Sequence, residues 1–163
     1  MIRAVLFDFG ETLVERISDE ARPLSELRVT AFADAAPTLS RLREGGHLLA
    51  IVSNTTQSTE NHMVSALKSI GLDRFFHAVV TSFDVGHDKP DPAIFHEALG
   101  RLSCSPHEAA MVGDDAVKDI GGAALLGLTT ILVRRGAALP AGPAVPTFTV
   151  HSLSEIPGLL DSQ

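Results

Sequence analysis

Four short polar segments, each set just beyond an apolar run, carry the residue types that could do chemistry in this chain. They are Asp8-Phe9-Gly10-Glu11-Thr12, Ser53-Asn54, Lys89-Pro90 and Gly113-Asp114-Asp115, the last closing with Asp119. In order they supply a carboxylate, a hydroxyl, a lone lysine and a cluster of acids. A carboxylate can serve as a nucleophile, clustered carboxylates suit a hard divalent cation, and a lysine is a compact point charge for phosphate. Together they are the inventory needed to hold a phosphate and a divalent cation against a nucleophile.

Something must bring these segments together, and the apolar runs before them do so. Ile2–Phe9 is nearly continuous in apolar residues, the pattern of a strand buried on both faces of a parallel sheet. His47–Val52, Ala78–Thr81, Ala109–Val112 and Leu128–Val133 repeat it, and a last short strand is expected at Phe148–Val150, followed by a terminal turn of helix. Helices are expected between them at 36–45, 58–70, 91–102 and 116–126, with Gly45-Gly46, Gly71 and Gly127 where they should stop. Ser105-Pro106-His107-Glu108 has the spacing of a capping box, so a short helical turn should precede the Ala109 strand. Strands alternating with helices in this way imply right-handed crossovers. The fold class is α/β: a doubly wound, mostly parallel Rossmann-like sheet flanked by helices. In that architecture ligands sit beyond the carboxyl ends of the strands, where all four polar segments fall.

Two stretches break the alternation. Residues 14–35 are polar and mixed and read as an excursion over the mouth of the first strand; Ala137–Pro146, with three prolines, reads as a loop. Neither divides the chain, so residues 1–163 are expected to form one domain with 14–35 as a short flap. A length of 163 residues is enough to bury a real core. A net charge of −7 argues against a nucleic-acid surface, since Arg134-Arg135 is only an adjacent pair. No apolar stretch approaches the ~20 residues of a membrane span, and the start is too short for a signal peptide. Cys104 is the only cysteine, so a cytoplasmic setting is expected. The seven histidines show no zinc-ligand spacing and read as structural or surface residues, with His87 the one near the site.

Four such segments in this order resemble the haloacid dehalogenase (HAD) superfamily, most of whose members are magnesium-dependent phosphohydrolases. Lys89-Pro90-Asp91-Pro92 with Ile94-Phe95, then Gly113-Asp114 and Asp119 with Gly122-Ala123, resemble the superfamily's downstream signatures. The resemblance implies that Asp8 is the nucleophile, forming an aspartyl phosphate, and that Lys89 neutralises charge between it and the phosphoryl group. It implies Ser53, the Asn54 backbone, Lys89 and Thr12 as phosphate-binding groups. Mg2+ would be held by Asp8, the Gly10 carbonyl, Asp114 and Asp119, with Asp115 reading as a supporting or helix-capping acid.

The chain departs from the pattern in two places. Position 10 is glycine, where family phosphatases carry an aspartate that protonates the leaving group and then activates water. Glu11 is adjacent, but in an extended segment side chains at 10 and 11 point to opposite faces, which argues against substitution by Glu11. The second departure is the missing lid. Only 44 residues, 9 through 52, separate Asp8 from Ser53, and they must include a helix and a strand. The cap is therefore reduced to a flap, leaving a site open to a small phosphorylated substrate or a phosphorylated macromolecule, or to a lid from a second subunit. The expected function is a Mg2+-dependent phosphohydrolase of low activity. The alternatives are a pseudophosphatase that binds a phosphorylated ligand or protein without turnover, and a carbon–halogen or carbon–phosphorus hydrolase.

Overall fold

The computed structural model describes residues 1–136 and 144–162. Six strands form one sheet: β1 Ala4–Phe7, β2 Leu48–Ser53, β3 Ala78–Thr81, β4 Ala109–Gly113, β5 Thr129–Val133 and β6 Phe148–Val150. The spatial order is β3-β2-β1-β4-β5-β6, and every neighbouring pair is parallel. The order reverses direction between β1 and β4. This is the switch point at which connections leave toward opposite sides and open a crevice at the strands' carboxyl ends.

The continuous apolar runs follow from burial on both faces. Val5 and Phe7 of β1 face one core, with Leu49 and Ile51 of β2 and Leu39, Leu42, Met63 and Leu67. The last four come from α1 Ala35–Glu44 and α2 Glu60–Ser69. Ala4 and Leu6 face the other core, with Ala50, Val52 and Met111 and with Ile94, Phe95 and Leu99 of α4 Pro92–Leu102. Alternate residues of β1 thus serve two apolar layers, which is why its run is nearly continuous in apolar residues. The helix signals act where the sequence places them. Asp91 caps α4, its carboxylate accepting from the Ala93 N–H at 2.8 Å, with Pro92 in the first turn. Ser105 and Glu108 form the expected capping box before β4.

Two local features differ from the sequence expectation. A one-turn helix, α3 Ser82–Val85, follows β3. The stretch expected as one helix over 116–126 begins as a π-helix, Ala116–Gly121, and becomes α-helical only as α5 Gly122–Leu126. The expected terminal turn of helix is α6 Ile156–Asp161. Of the loop expected at Ala137–Pro146, residues 137–143 lie outside the described part of the chain.

The excursion after β1 is tied down at several points. Val14 bridges Ala31 in antiparallel fashion, the Glu15 N–H donates to the Thr30 carbonyl at 2.8 Å, and the Phe32 N–H to the Leu13 carbonyl at 2.9 Å. At its far end the Leu24 N–H donates to the Ser58 hydroxyl at 2.9 Å, joining the excursion to the loop after β2. No helix of the described residues is long and apolar enough to cross a membrane.

Candidate active site

The ends of β1, β2 and β4 open into one cleft. It is lined by Asp8, Gly10 and Glu11 from the first loop, Ser53 and Asn54 from the second, Lys89, and Asp114, Asp115 and Asp119 from the fourth segment. The structure therefore brings together every residue the sequence assigns to the site except Thr12. The excursion supplies Ile17, Glu20, Arg22 and Leu24 to the same cleft, and Thr55, Thr56, Ser58 and Lys118 complete it.

Lys89 is at the centre and is almost wholly buried. Its ammonium donates to Asp8 Oδ1 at 2.9 Å, Asp119 Oδ1 at 2.7 Å and the Val52 carbonyl at 2.8 Å, which uses all three of its protons. Burial alone would push this ammonium's pKa down. The two carboxylates outweigh burial and hold it above the usual lysine range. The Lys89 backbone is held just as firmly: Asn54 Oδ1 accepts from the Lys89 N–H at 2.7 Å, while Asn54 Nδ2 donates to the Lys89 carbonyl at 3.0 Å.

Asp119 is 1% exposed and has no free edge. Lys89 takes one of its oxygens, and the Asp115 N–H donates to the other at 3.1 Å. The π-winding places it there. Both the Asp119 and the Ile120 N–H reach back to the Asp115 carbonyl, at 3.1 and 3.2 Å, and the Asp115 side chain caps the turn by accepting from Val117 and Lys118. The wider turn carries Asp119 inward beneath Gly113, where a Cβ would lie 2.2 Å from Asp119 Oδ2. Asp115 is thus the capping acid that its position suggests.

Three carboxylates, Asp8, Asp114 and Asp119, present oxygens within 4.8 Å of one another, against the single charge of Lys89. The excess shows in their proton affinities. Burial, then the Asp8 charge, pushes the Asp114 carboxyl up to about 8. Burial and Asp8 also raise Asp119, against the pull of Lys89. Acids that resist ionising together are what a divalent cation would relieve, and all the donors are hard oxygens, so the residues present fit Mg2+.

Thr12 corrects the sequence expectation. It is fully buried and does not line the cleft. Its hydroxyl lies 3.3 Å from both Asp8 Oδ2 and Asp114 Oδ1, so it bridges two acids instead of meeting a ligand. The turn after Phe9 drives it inward: the Thr12 and Leu13 N–H groups both fold back to the Phe9 carbonyl. His87 is exposed, 3.4 Å from Asp91, and no histidine lines the cleft among the described residues. Residues 10 and 11 do not form the extended segment that strand alternation assumes. Glu11 has φ of 62°, its N–H donates to the Val14 carbonyl at 2.8 Å, and the reversal leaves both Gly10 and Glu11 lining the cleft.

Two supports of the site carry no sequence signal. The clamp of Asn54 on Lys89 spans 35 residues. Arg135, half of what reads as a simple basic pair, donates to the Thr12 carbonyl at 3.0 Å, pairs with Asp34 at 2.8 Å and lies 3.8 Å over the Phe32 ring. It fastens the back of the nucleophile loop to the start of α1.

The family model described as haloacid dehalogenase-like hydrolase matches residues 8–133. A glyceraldehyde 3-phosphate phosphatase of Methanopyrus kandleri is 39% identical over 77% of this chain and 54% of its own length. An (S)-2-haloacid dehalogenase 4A of Burkholderia cepacia is 35% identical over 81% of this chain and 56% of its own. The chain thus spans about half the length of these relatives. Among solved structures, a HAD phosphatase from Thermococcus onnurineus superposes with a TM-score of 0.81 over 98% of both chains, at 24% identity, a likeness of fold.

Proposed function

The chain belongs to the haloacid dehalogenase-like hydrolase family, and from that premise we propose that it is a Mg2+-dependent phosphohydrolase working through an aspartyl phosphate on Asp8. The observation that carries the reading is the charge balance of the cluster at the strand ends: Asp8, Asp114 and Asp119 gather around one buried ammonium, Lys89. A haloacid brings its own carboxylate and would meet that surplus of negative charge uncompensated. A phosphate ester accompanied by a divalent cation meets it balanced.

Asp8 and Asp114, with the carbonyl of Gly10, are the donors that would hold Mg2+. Asp119, whose oxygens are engaged by Lys89 and the Asp115 N–H, supports them from behind. Bound there, the cation would neutralise charge on the phosphoryl oxygens. Lys89 fixes one Asp8 oxygen, leaving the carboxylate oriented by two partners, Lys89 and Thr12, for attack on phosphorus. Ser53, at the end of β2, and the Asn54 backbone N–H line the same cleft and supply donors for phosphoryl oxygens. A small phosphorylated substrate is the class this reading selects.

Titration with Mg2+ followed by calorimetry, together with a panel of phosphate esters with and without Mg2+, tests the reading. Wild type should bind Mg2+, and Asp114→Asn should bind it at least about tenfold more weakly. Asp8→Asn should abolish hydrolysis. Mg2+ binding that is unchanged in Asp114→Asn removes the metal assignment. A folded wild type that binds Mg2+ and phosphate but hydrolyses no ester replaces the hydrolase with a phosphate-binding pseudoenzyme.

A further inference from the structure

Resting on the phosphate site just proposed, we infer that Ile17, together with Leu24, receives the organic group of the substrate and selects phosphate esters whose alcohol part is short and apolar. Ile17 Cδ1 lies 3.5 Å from the point where a Cβ on Gly10 would stand, an ordinary van der Waals contact. The nucleophile loop has no side chain of its own there. A methyl group from the excursion covers the bare backbone instead, and both residues line the cleft.

The contact is held in place from several sides. Ile17 is half-buried and packs on the core cluster that contains Phe9, Leu13 and Val14. The excursion that carries it is tied down at Val14, which bridges Ala31, and at Leu24, whose N–H donates to the buried Ser58 hydroxyl. Leu24 is itself only 6% exposed. Glu20 and Arg22 reach the cleft from the same excursion, but both are exposed, and Arg22 donates to Glu26 at 3.3 Å. Long charged arms in water adjust to what they meet. A β-branched side chain anchored on a core does not. The part of this wall with a fixed shape is therefore apolar.

The reaction geometry turns the substrate toward that wall. In attack on phosphorus the entering and leaving oxygens lie roughly in line. Asp8 enters from the floor of the cleft, where Lys89, Asp114 and Asp119 gather. The ester oxygen and the group it carries then point away from the floor, to the side closed by the excursion. The cavity measures about 210 Å3, and the phosphoryl group and its cation claim the floor, so a short organic group is what fits. Each methylene laid on Ile17 and Leu24 gains by leaving water. A hydroxyl laid there loses its water and finds no partner on either side chain.

Calorimetry on the full chain, with Mg2+ and phosphonates that carry carbon in place of the ester oxygen, tests recognition apart from turnover. Wild type should bind butylphosphonate at least about tenfold more tightly than methylphosphonate. A dihydroxypropyl phosphonate, nearly as long as the butyl compound, should bind no better than methylphosphonate. Ile17→Ala should lose most of the preference while holding methylphosphonate as wild type does, and Ile17→Leu should keep it. Equal affinities for the butyl and methyl compounds in wild type overturn the inference. An Ile17→Ala protein that weakens both alike also overturns it, as the mark of a structural role in the loop. A wild type that shows the preference but hydrolyses no ester supports the inference and overturns only the hydrolysis. One that binds no phosphonate in Mg2+ overturns the phosphate site, and the inference with it.

Discussion

Asn54 holds the main chain of Lys89 from both sides, its amide oxygen accepting from the Lys89 N–H at 2.7 Å and its amide nitrogen donating to the Lys89 carbonyl at 3.0 Å. The loop after β2 thereby sets the position of the one buried cation, whose ammonium in turn sets Asp8 and Asp119. Asn54 reads from sequence as a phosphate ligand through its backbone. Its side chain serves the geometry of a different segment.

Asn54→Ala should leave two partly buried backbone groups of Lys89 unpaired, at a cost of about 1–3 kcal/mol. For a chain of this size that is a fall in Tm of about 2–4 °C for each kcal/mol. Activity should suffer more than stability, because a misplacement of about 1 Å at a reacting group can cost ~10²-fold. The loss should appear in kcat with Mg2+ affinity little changed. Thermal melts, steady-state kinetics and calorimetry on one preparation check all three.

Gly113→Ala probes the packing of the acids. A Cβ at residue 113 would sit 2.2 Å from Asp119 Oδ2 and 2.4 Å from its Cγ, inside any tolerable contact. Asp119 cannot step aside without leaving Lys89 and the Asp115 N–H. Breaking a buried ion pair costs about 3–5 kcal/mol, so the variant should be destabilised on that scale and inactive. A denaturant melt close to wild type would show that the loop after β4 can rearrange around the methyl group.

The bond network of Asp34 gives a pH dependence. Burial alone would raise its pKa, but the Arg135 guanidinium, the Ser152 hydroxyl and the Leu153 N–H together hold it below the usual carboxylate range. A group depressed in the folded state contributes stability that is present above its unfolded pKa of about 3.9 and is lost as pH falls through the folded value. The stability difference between wild type and Asp34→Asn should therefore be steady above about pH 5 and shrink on acidification below it. Urea melts from neutral pH down to the acid limit of the folded state measure it. A gap that stays constant into the acid range would refute the pairing.

How much of this was legible in sequence depends on the distance over which each contact acts. β3 at Ala78–Thr81 and β6 at Phe148–Val150 lie where the apolar pattern puts them, because burial on a sheet is written in consecutive residues. The four site segments were legible for the same reason: each follows a strand, and a parallel sheet gathers strand ends. Thr12, Asn54 and Arg135 were not, since each acts through partners far along the chain or through a turn that reverses its direction. The π-helix at Ala116–Gly121 escaped because it answers to the Asp119 ion pair, not to helix propensity. The turn at Glu11 was not legible either: its φ of 62° breaks the extended backbone that strand alternation assumes.

The last prediction uses Gly10. Its φ is not in the left-handed region, and a Cβ built there would meet only Ile17 Cδ1, at an ordinary 3.5 Å, so an aspartate side chain has room on the cleft wall. The new carboxylate could protonate the departing alkoxide and then take a proton from water, so Gly10→Asp should raise hydrolysis of an alkyl phosphate by up to the ~10²–10⁴-fold ordinary for general acid–base catalysis, less what its repulsion of Asp8 and Asp114 costs. Steady-state rates of wild type and Gly10→Asp on an alkyl phosphate, at saturating Mg2+, measure the gain. No gain, from a folded variant shown by calorimetry to hold Mg2+, would count against the phosphohydrolase and for a phosphate-binding pseudoenzyme.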